Sequence, residues 1–168
     1  MISQILMKRS FMLSTLLCFC WFSISCGQQK IEGLSYIDGK PVSIEIKDGK
    51  IASVTRINRI ASGNNNLYVA PGLIDNQVNG FAGISFLSET GAELTLDGVK
   101  KATRALWERG VTTYLATLTT NTHGEILNIC SKLGEYIKDK SLLGSIAGLH
   151  LEGPYISPEE GYRGAHAK

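Results

Sequence analysis

Residues 111–154 read VTTYLATLTTNTHGEILNICSKLGEYIKDKSLLGSIAGLHLEGP, and this stretch decides the fold class. Its start, 111–118, is rich in β-branched side chains and predicts a strand. Thr122 then precedes Glu125 in a capping-box pattern, and apolar residues follow at helical spacing. A second apolar run, 145–151, predicts another strand. Strand, helix and strand in this order indicate βα units on a parallel sheet.

The same alternation extends toward the N-terminus. Residues 67–74 predict an earlier strand, and a helix is expected after Thr95, with a glycine cap at Gly110. The apolar face of this helix consists of Leu96, Val99, Thr103, Leu106 and Trp107. We therefore expect residues 67–168 to form an α/β fold, the first part of an incomplete (β/α)8 TIM-type barrel with about three βα units.

A different pattern precedes the barrel region. Within residues 31–58, two Asp-Gly pairs at 38–39 and 48–49 indicate turns between short runs. Apolar and polar residues alternate over 42–46, as in a strand with one buried face. Residues 27–66 are therefore predicted to form a small β element of three or four strands.

The first 26 residues resemble an export signal. Lys8 and Arg9 precede an apolar stretch, 11–22, that suits a signal and is short for a bilayer span. The segment ends in Ser-Ile-Ser-Cys-Gly, which resembles a bacterial lipobox, so Cys26 is predicted to carry the lipid. The chain would then be exported as a membrane-anchored lipoprotein, periplasmic or at the cell surface. An ordinary signal peptide or a short anchor is the alternative.

The charge pattern argues against nucleic acid as a partner. Lysine and arginine total 17 against 15 acidic residues, and the basic side chains are scattered along the chain. Proteins that bind nucleic acid usually gather such charges into a stripe or a run.

Polar residues follow the end of each predicted strand. Gln77 and Asn79 follow the first strand, residues 119–121 follow the second, and Glu152 follows the third. In a (β/α)8 barrel the carboxyl ends of the strands form the catalytic face. Each residue alone would be an ordinary loop residue, and the prediction of a site depends on their convergence.

Glu152 and His150 are two residues apart and share one face of the third strand. A carboxylate at the mouth of a barrel needs a partner, and a divalent metal is one solution, whereas a salt bridge or a loop cap is another. We expect His150 to be structural rather than a ligand. His123 should be solvated at the start of its helix, and Cys130 should be a small buried hydrophobe.

Two blocks of sequence carry a family resemblance. Residues 70–80, APGLIDNQVNG, and residues 148–156, GLHLEGPYI, followed by Gly-Ala-His at 164–166, occur in this order. Together they resemble the N-acetylglucosamine-6-phosphate deacetylase family of the amidohydrolase superfamily. The resemblance covers residues 31–168, and it implies that residues 27–66 contribute strands to an N-terminal β-sandwich.

The resemblance also implies roles for single residues. Glu152 would be a metal ligand, and His166 would contact the sugar. Gln77 and Asn79 would line the metal pocket where many relatives carry His-x-His, which implies a single divalent ion, Zn²⁺ in type. The general acid/base and the remaining ligands would follow Lys168, so no catalytic residue is assigned within the chain.

The function expected from this resemblance is deacetylation of N-acetylglucosamine 6-phosphate to glucosamine 6-phosphate and acetate by the complete protein. The 168-residue chain would be an inactive N-terminal fragment, and the complete protein would be a homo-oligomer. Two alternatives stay open. One is a lipoprotein amidohydrolase that acts on an unphosphorylated N-acetyl sugar or another amide, and the other is a non-catalytic sugar-binding module at the cell surface.

Overall fold

A computed structural model describes residues 29–61, 67–87, 93–153, 155–164 and 166 of the chain. The predicted signal and the lipidation site at Cys26 lie outside these residues. The chain divides into two compact units between Val69 and Ala70, whereas the sequence placed the division after residue 66. No helix in the described part is long and apolar enough to cross a membrane.

The first unit contains a sheet of four strands. In chain order the strands are β1 (Gln29–Ser35), β2 (Pro41–Lys47), β3 (Lys50–Arg56) and β4 (Tyr68–Val69). The sheet order is β3-β2-β1-β4, with antiparallel pairs except for β1 and β4, which run parallel. Gly39 and Gly49 adopt positive φ in the two predicted turns. The described strands of this unit form one sheet, so the two-layer sandwich stays a prediction.

The second unit alternates strands and helices. Its elements are β5 (Leu73–Val78), β6 (Gly80–Phe81), β7 (Ile84–Ser85), α1 (Leu96–Trp107), β8 (Val111–Leu118), α2 (His123–Tyr136) and β9 (Ile146–Leu151). The strands β5, β8 and β9 form a parallel sheet in that order, while β6 and β7 form a short hairpin. The α/β class and the βα rhythm are thus confirmed, and the closed eight-stranded barrel stays a prediction.

The prediction of one strand over residues 67–74 was wrong. The short strand β4 pairs with β1 in the first unit, and β5 begins only at Leu73. Pro71 between them has no backbone N–H to donate to a ladder. A Cβ on Gly72 would lie 1.9 Å from Thr112 Oγ1, so the chain enters β5 by a close backbone approach that only glycine permits.

Both helices begin where the sequence predicted them. The Thr95 hydroxyl accepts a hydrogen bond from Gly98 N at 3.1 Å, and the Thr122 hydroxyl accepts one from Glu125 N at 3.3 Å. Each threonine thereby satisfies a backbone donor that has no partner inside its helix. Gly110, at positive φ, follows α1 as expected of a C-terminal cap.

The core of the second unit lies between the helices and the sheet. The fully or almost fully buried side chains there include Val99, Leu106, Tyr114, Leu118 and Leu133. The hydroxyls of Thr103 and Tyr114 are 2.8 Å apart and connect α1 to β8 inside this core. Burial raises the pKa of Tyr114. Cys130 is half-buried against the same core, in line with its predicted role as a small hydrophobe.

Asp139 connects α1 to the turn before β9. Its carboxylate accepts a hydrogen bond from Ser141 Oγ at 2.6 Å and lies 3.0 Å from Lys100 Nζ. The Ser141 hydroxyl and then Lys100 lower the pKa of Asp139 to about 2. Because this pKa is depressed in the folded state, the contribution to stability is present above the ordinary aspartate range and is lost as the pH falls through about 2.

We predict that Leu133→Ala lowers the free energy of unfolding by roughly 2–5 kcal/mol, because the side chain is 0% exposed and its loss leaves a cavity. Leu127→Ala in the same helix is the matched control, because Leu127 is 55% exposed. That control should change the free energy by less than about 0.5 kcal/mol in urea unfolding. Equal losses for the two variants would contradict the placement of α2 on the sheet.

Candidate functional site

The parallel sheet brings three predicted site residues together at one edge. Gln77 is the penultimate residue of β5, and Asn79 follows that strand directly. Glu152 follows β9, and its backbone N–H donates to Leu118 O at 2.8 Å, which extends the ladder one residue past the strand. Since β5, β8 and β9 run parallel, their carboxyl ends lie at the same edge.

An irregularity in β5 lies directly before the site. Asp75 pairs with Tyr114, and Val78 pairs with Ala116, so three steps along β5 match two steps along β8. Inside this bulge, Gln77 N donates to Asp75 Oδ1 at 3.0 Å. Bulges of this kind redirect side chains and are frequent beside active sites.

Successive side chains of β5 point to opposite faces of the sheet, which places core residues on one face and site residues on the other. Val78 is buried in the core, so its neighbours Gln77 and Asn79 point to the other face of the sheet. Both side chains are exposed there, whereas Glu152 is half-buried.

The carboxylate of Glu152 joins the two amides. Gln77 Nε2 donates to Oε1 in a short hydrogen bond, and Asn79 Nδ2 donates to Oε2 at 2.9 Å. An ionised carboxylate accepts and cannot donate, so both amides must present nitrogen to it and turn their carbonyl oxygens away. Each carboxylate oxygen has a second lone pair that these bonds do not use.

This arrangement suits a cation or an ordered water beside Glu152. Both bonded partners are neutral, so they orient the carboxylate without cancelling its negative charge. Among the described residues, no group of three or more His, Cys, Asp and Glu could hold a metal ion. Within the described part of the chain, Glu152 is the carboxylate that both amides contact.

The histidines lie in three different settings. Nδ1 of His150 lies 3.3 Å from Thr117 Oγ1 on the neighbouring strand, an arrangement consistent with the expected structural role. His123 is exposed as the first residue of α2. His166 is half-buried, and its Nδ1 lies 3.1 Å from Thr120 Oγ1, in the loop that follows β8.

No sequence motif indicated an individual role for Thr120 or Arg163. Residues 119–121 were expected at this edge as a group, but the bond from Thr120 to His166 spans 46 residues and leaves no local pattern. Arg163 Nη1 donates to His166 O at 2.6 Å, and no motif indicated that contact. The site therefore includes more positioning contacts than the sequence motifs predicted.

The fold and the site together define a class of protein. The chain contains a parallel α/β unit with a carboxylate and two amides at the carboxyl edge of its strands, which is the edge where α/β proteins, both barrels and open sheets, bind their ligands. Comparisons with known proteins narrow this class.

No protein-family model matches the chain. Curated relatives do match, and those from Danio rerio, Bacillus subtilis and Haemophilus influenzae are all named N-acetylglucosamine-6-phosphate deacetylase. The Danio rerio protein is 37% identical over 102 residues, covering 60% of this chain and 24% of the relative. The Bacillus subtilis protein is 30% identical over 125 residues, which cover 69% of this chain and 30% of the relative. The Haemophilus influenzae protein is 31% identical over 130 residues, which cover 77% of this chain and 31% of the relative.

Solved structures that are similar to the chain belong to proteins of the same name. The Thermotoga maritima N-acetylglucosamine-6-phosphate deacetylase has a TM-score of 0.66 at 31% identity, covering 83% of this chain and 35% of that one. A mutant Mycobacterium smegmatis deacetylase, in complex with N-acetyl-D-glucosamine-6-phosphate, has a TM-score of 0.58 at 25% identity, covering 78% and 34%.

The predicted resemblance to the N-acetylglucosamine-6-phosphate deacetylase family is therefore confirmed. The chain spans about a quarter to a third of the length of the curated relatives it matches, as expected of an N-terminal portion.

We predict that Glu152→Gln disrupts the contacts of both amides, because a neutral amide in its place offers one acceptor oxygen instead of two. The side-chain NH₂ resonances of Gln77 and Asn79 in the ¹⁵N-labelled protein should move toward the values of solvated amides. Glu159→Gln, at an exposed loop residue, makes the same chemical change away from the site and should leave both resonances in place. Unchanged resonances in Glu152→Gln would show that the carboxylate does not hold the amides.

Proposed function

We propose that this chain forms the first part of the catalytic barrel of a metal-dependent deacetylase acting on N-acetylglucosamine 6-phosphate. The observation that carries the proposal is the meeting of Glu152 with Gln77 and Asn79 at the carboxyl edge of the parallel sheet. Relatives that match the chain in sequence and in fold are N-acetylglucosamine-6-phosphate deacetylases, and one was solved with that sugar phosphate.

The donor set fits one part of a metal site. A carboxylate oxygen is a suitable ligand for Zn²⁺, and catalytic zinc generally takes about three protein ligands. Glu152 would supply one of these, while Gln77 and Asn79 would orient it from outside the coordination sphere. When bound, the ion would polarise the acetamide carbonyl and lower the pKa of a water molecule.

The residues of this chain would bind and orient the substrate. His166 lies in the loop after β9, and we assign it to the sugar. The reaction consumes one water, breaks the C–N bond of the acetamide and releases acetate and an amino sugar phosphate. The proton carrier and the other metal ligands would come from further strands of the barrel.

We predict that the purified 168-residue chain has no measurable deacetylase activity and binds Zn²⁺ weakly, because its described residues include no group of three or more His, Cys, Asp and Glu that could hold the ion. The product of the reading frame that contains these residues should release acetate from N-acetylglucosamine 6-phosphate, measured by an enzyme-coupled assay. In that product, Glu152→Gln should reduce kcat/KM by at least about 100-fold.

Glu159→Gln is the control in the same protein and should retain full activity, since the residue is exposed. An active Glu152→Gln enzyme would refute the assignment of Glu152 as a ligand. Metal-dependent turnover by the 168-residue chain alone would refute its predicted inactivity.

One observation favours a second substrate class. The export pattern in residues 1–26, with the proposed lipid on Cys26, would place the protein at a membrane outside the cytoplasm. Phosphorylated sugars are usually formed and used in the cytoplasm, so an anchored enzyme would meet unphosphorylated N-acetyl sugars or other amides. We keep the phosphorylated sugar as the first proposal, because the matched relatives carry its name.

Kinetics with paired substrates separate the two classes. We predict that kcat/KM for N-acetylglucosamine 6-phosphate exceeds that for N-acetylglucosamine by at least about 100-fold, as expected when charged groups hold the phosphate. Equal values, or a preference for the free sugar, would support the exported amidohydrolase. Metabolic labelling with palmitate in wild type and Cys26→Ala tests the anchor separately.

A further inference from the structure

Thr120 lies between two parts of the proposed site. It follows β8, and its two side-chain branches face different neighbours. The hydroxyl Oγ1 lies 3.1 Å from His166 Nδ1, whereas the methyl group approaches Gly153, the residue after Glu152.

The methyl contact explains the glycine in the Glu-Gly-Pro block. Gly153 has φ 89°, a conformation that side chains rarely adopt. A Cβ built on Gly153 would lie 2.4 Å from the Thr120 methyl carbon, which is closer than real contacts allow. The turn that carries Glu152 therefore rests directly on Thr120.

The hydroxyl contact completes a set of bonds around His166. Arg163 Nη1 donates to His166 O at 2.6 Å, and His166 N donates to Arg163 O at 3.3 Å, so the backbone is fixed by its own loop. Within the described part of the chain, the imidazole ring is hydrogen-bonded to Thr120 alone. Ring orientation therefore depends on a residue of a different βα unit.

Either Thr120 Oγ1 or His166 Nδ1 can be the donor in this bond, depending on the tautomer of the ring. His166 Nδ1 is the partner of Thr120 Oγ1 within the described residues. If the Thr120 hydroxyl donates to Nδ1, the ring hydrogen of neutral His166 lies on Nε2.

We propose that Thr120 is a positioning residue, whose hydroxyl holds His166 as an Nε2–H donor toward the sugar. The role of His166 toward the sugar rests on the proposed function, whereas the state of its ring does not. An Nε2–H donor suits the hydroxyl and carbonyl oxygens of an N-acetyl sugar, which accept hydrogen bonds.

The first test determines which ring nitrogen of His166 carries the hydrogen. ¹⁵N-histidine labelling of the expressed protein at mildly alkaline pH, with His166→Asn for assignment, distinguishes protonated from unprotonated ring nitrogens. We expect His166 to carry hydrogen on Nε2 and to accept at Nδ1, with a Nδ1 shift displaced from that of the exposed His123. Thr120→Val should abolish this displacement, and Thr120→Ser should retain it. Hydrogen on Nδ1 in wild type, or an unchanged shift in Thr120→Val, would overturn the proposal.

The second test measures activity in the product of the reading frame that contains these residues. Thr120→Val should lower kcat/KM about tenfold, the loss expected from one hydrogen bond, while Thr120→Ser should stay within about threefold of wild type. Combining Thr120→Val with His166→Asn should cost little more than His166→Asn alone, because the hydroxyl acts through the ring. Additive losses would overturn the positioning role.

The two tests fail in different ways. If the product of the reading frame that contains these residues had no deacetylase activity, the proposed function would be refuted, yet the ring measurement would still decide whether Thr120 holds His166. An active enzyme in which Thr120→Val matches wild type would refute the inference alone. Thr120→Ser keeps the hydroxyl while removing the methyl contact with Gly153, so it separates the hydrogen bond from support of the turn.

Discussion

The direction of the strands is the constraint on which the site depends. In a parallel sheet every strand ends at the same edge, so residues far apart in sequence meet there without any local signal. Gln77 and Glu152 are 75 residues apart, and Asn79 and Glu152 are 73 apart, yet both pairs are hydrogen-bonded. The helices α1 and α2 serve this arrangement by returning the chain to the start of the next strand.

Register connects the core to the site. Val78 contributes to the core, and its two neighbours contribute to the site, so a slip of one residue would exchange these roles. The buried hydroxyl pair of Thr103 and Tyr114 anchors β8 to α1, and β8 is the strand that pairs with both β5 and β9. The packing that stabilises the second unit therefore also sets the distance between the amides and the carboxylate.

Local patterns predicted local structure well in this chain. The run at 111–118 matches β8, and Thr95 and Thr122 cap their helices as expected, because a cap depends on residues within one turn. The prediction of one strand over 67–74 was wrong because this nearly continuous apolar run contains no signal of the change from one sheet to the other near Pro71. An apolar run indicates a strand, but it does not indicate which sheet the strand joins.

The site was predictable only in part. Convergence of polar residues at the strand ends followed from the βα rhythm, whereas the roles of Glu152 and His166 came from a resemblance and not from the physics of the sequence. The contact of Thr120 with His166 was not predictable, since it depends on how the loop after β9 closes over the edge. Contacts of this kind need three-dimensional placement, because a threonine and a histidine 46 residues apart form no periodic pattern.

The choice of amides around Glu152 has an electrostatic consequence. A lysine or arginine at position 77 or 79 would also donate to the carboxylate, but its charge would cancel the attraction for a cation. Gln77 and Asn79 hold both oxygens in place while the negative charge of the ionised group is retained. A histidine pair at these positions would add metal ligands of its own, whereas amides that present nitrogen to the carboxylate turn no acceptor toward it. Neutral donors thus fix the orientation of the Glu152 carboxylate and leave its charge free to attract a cation.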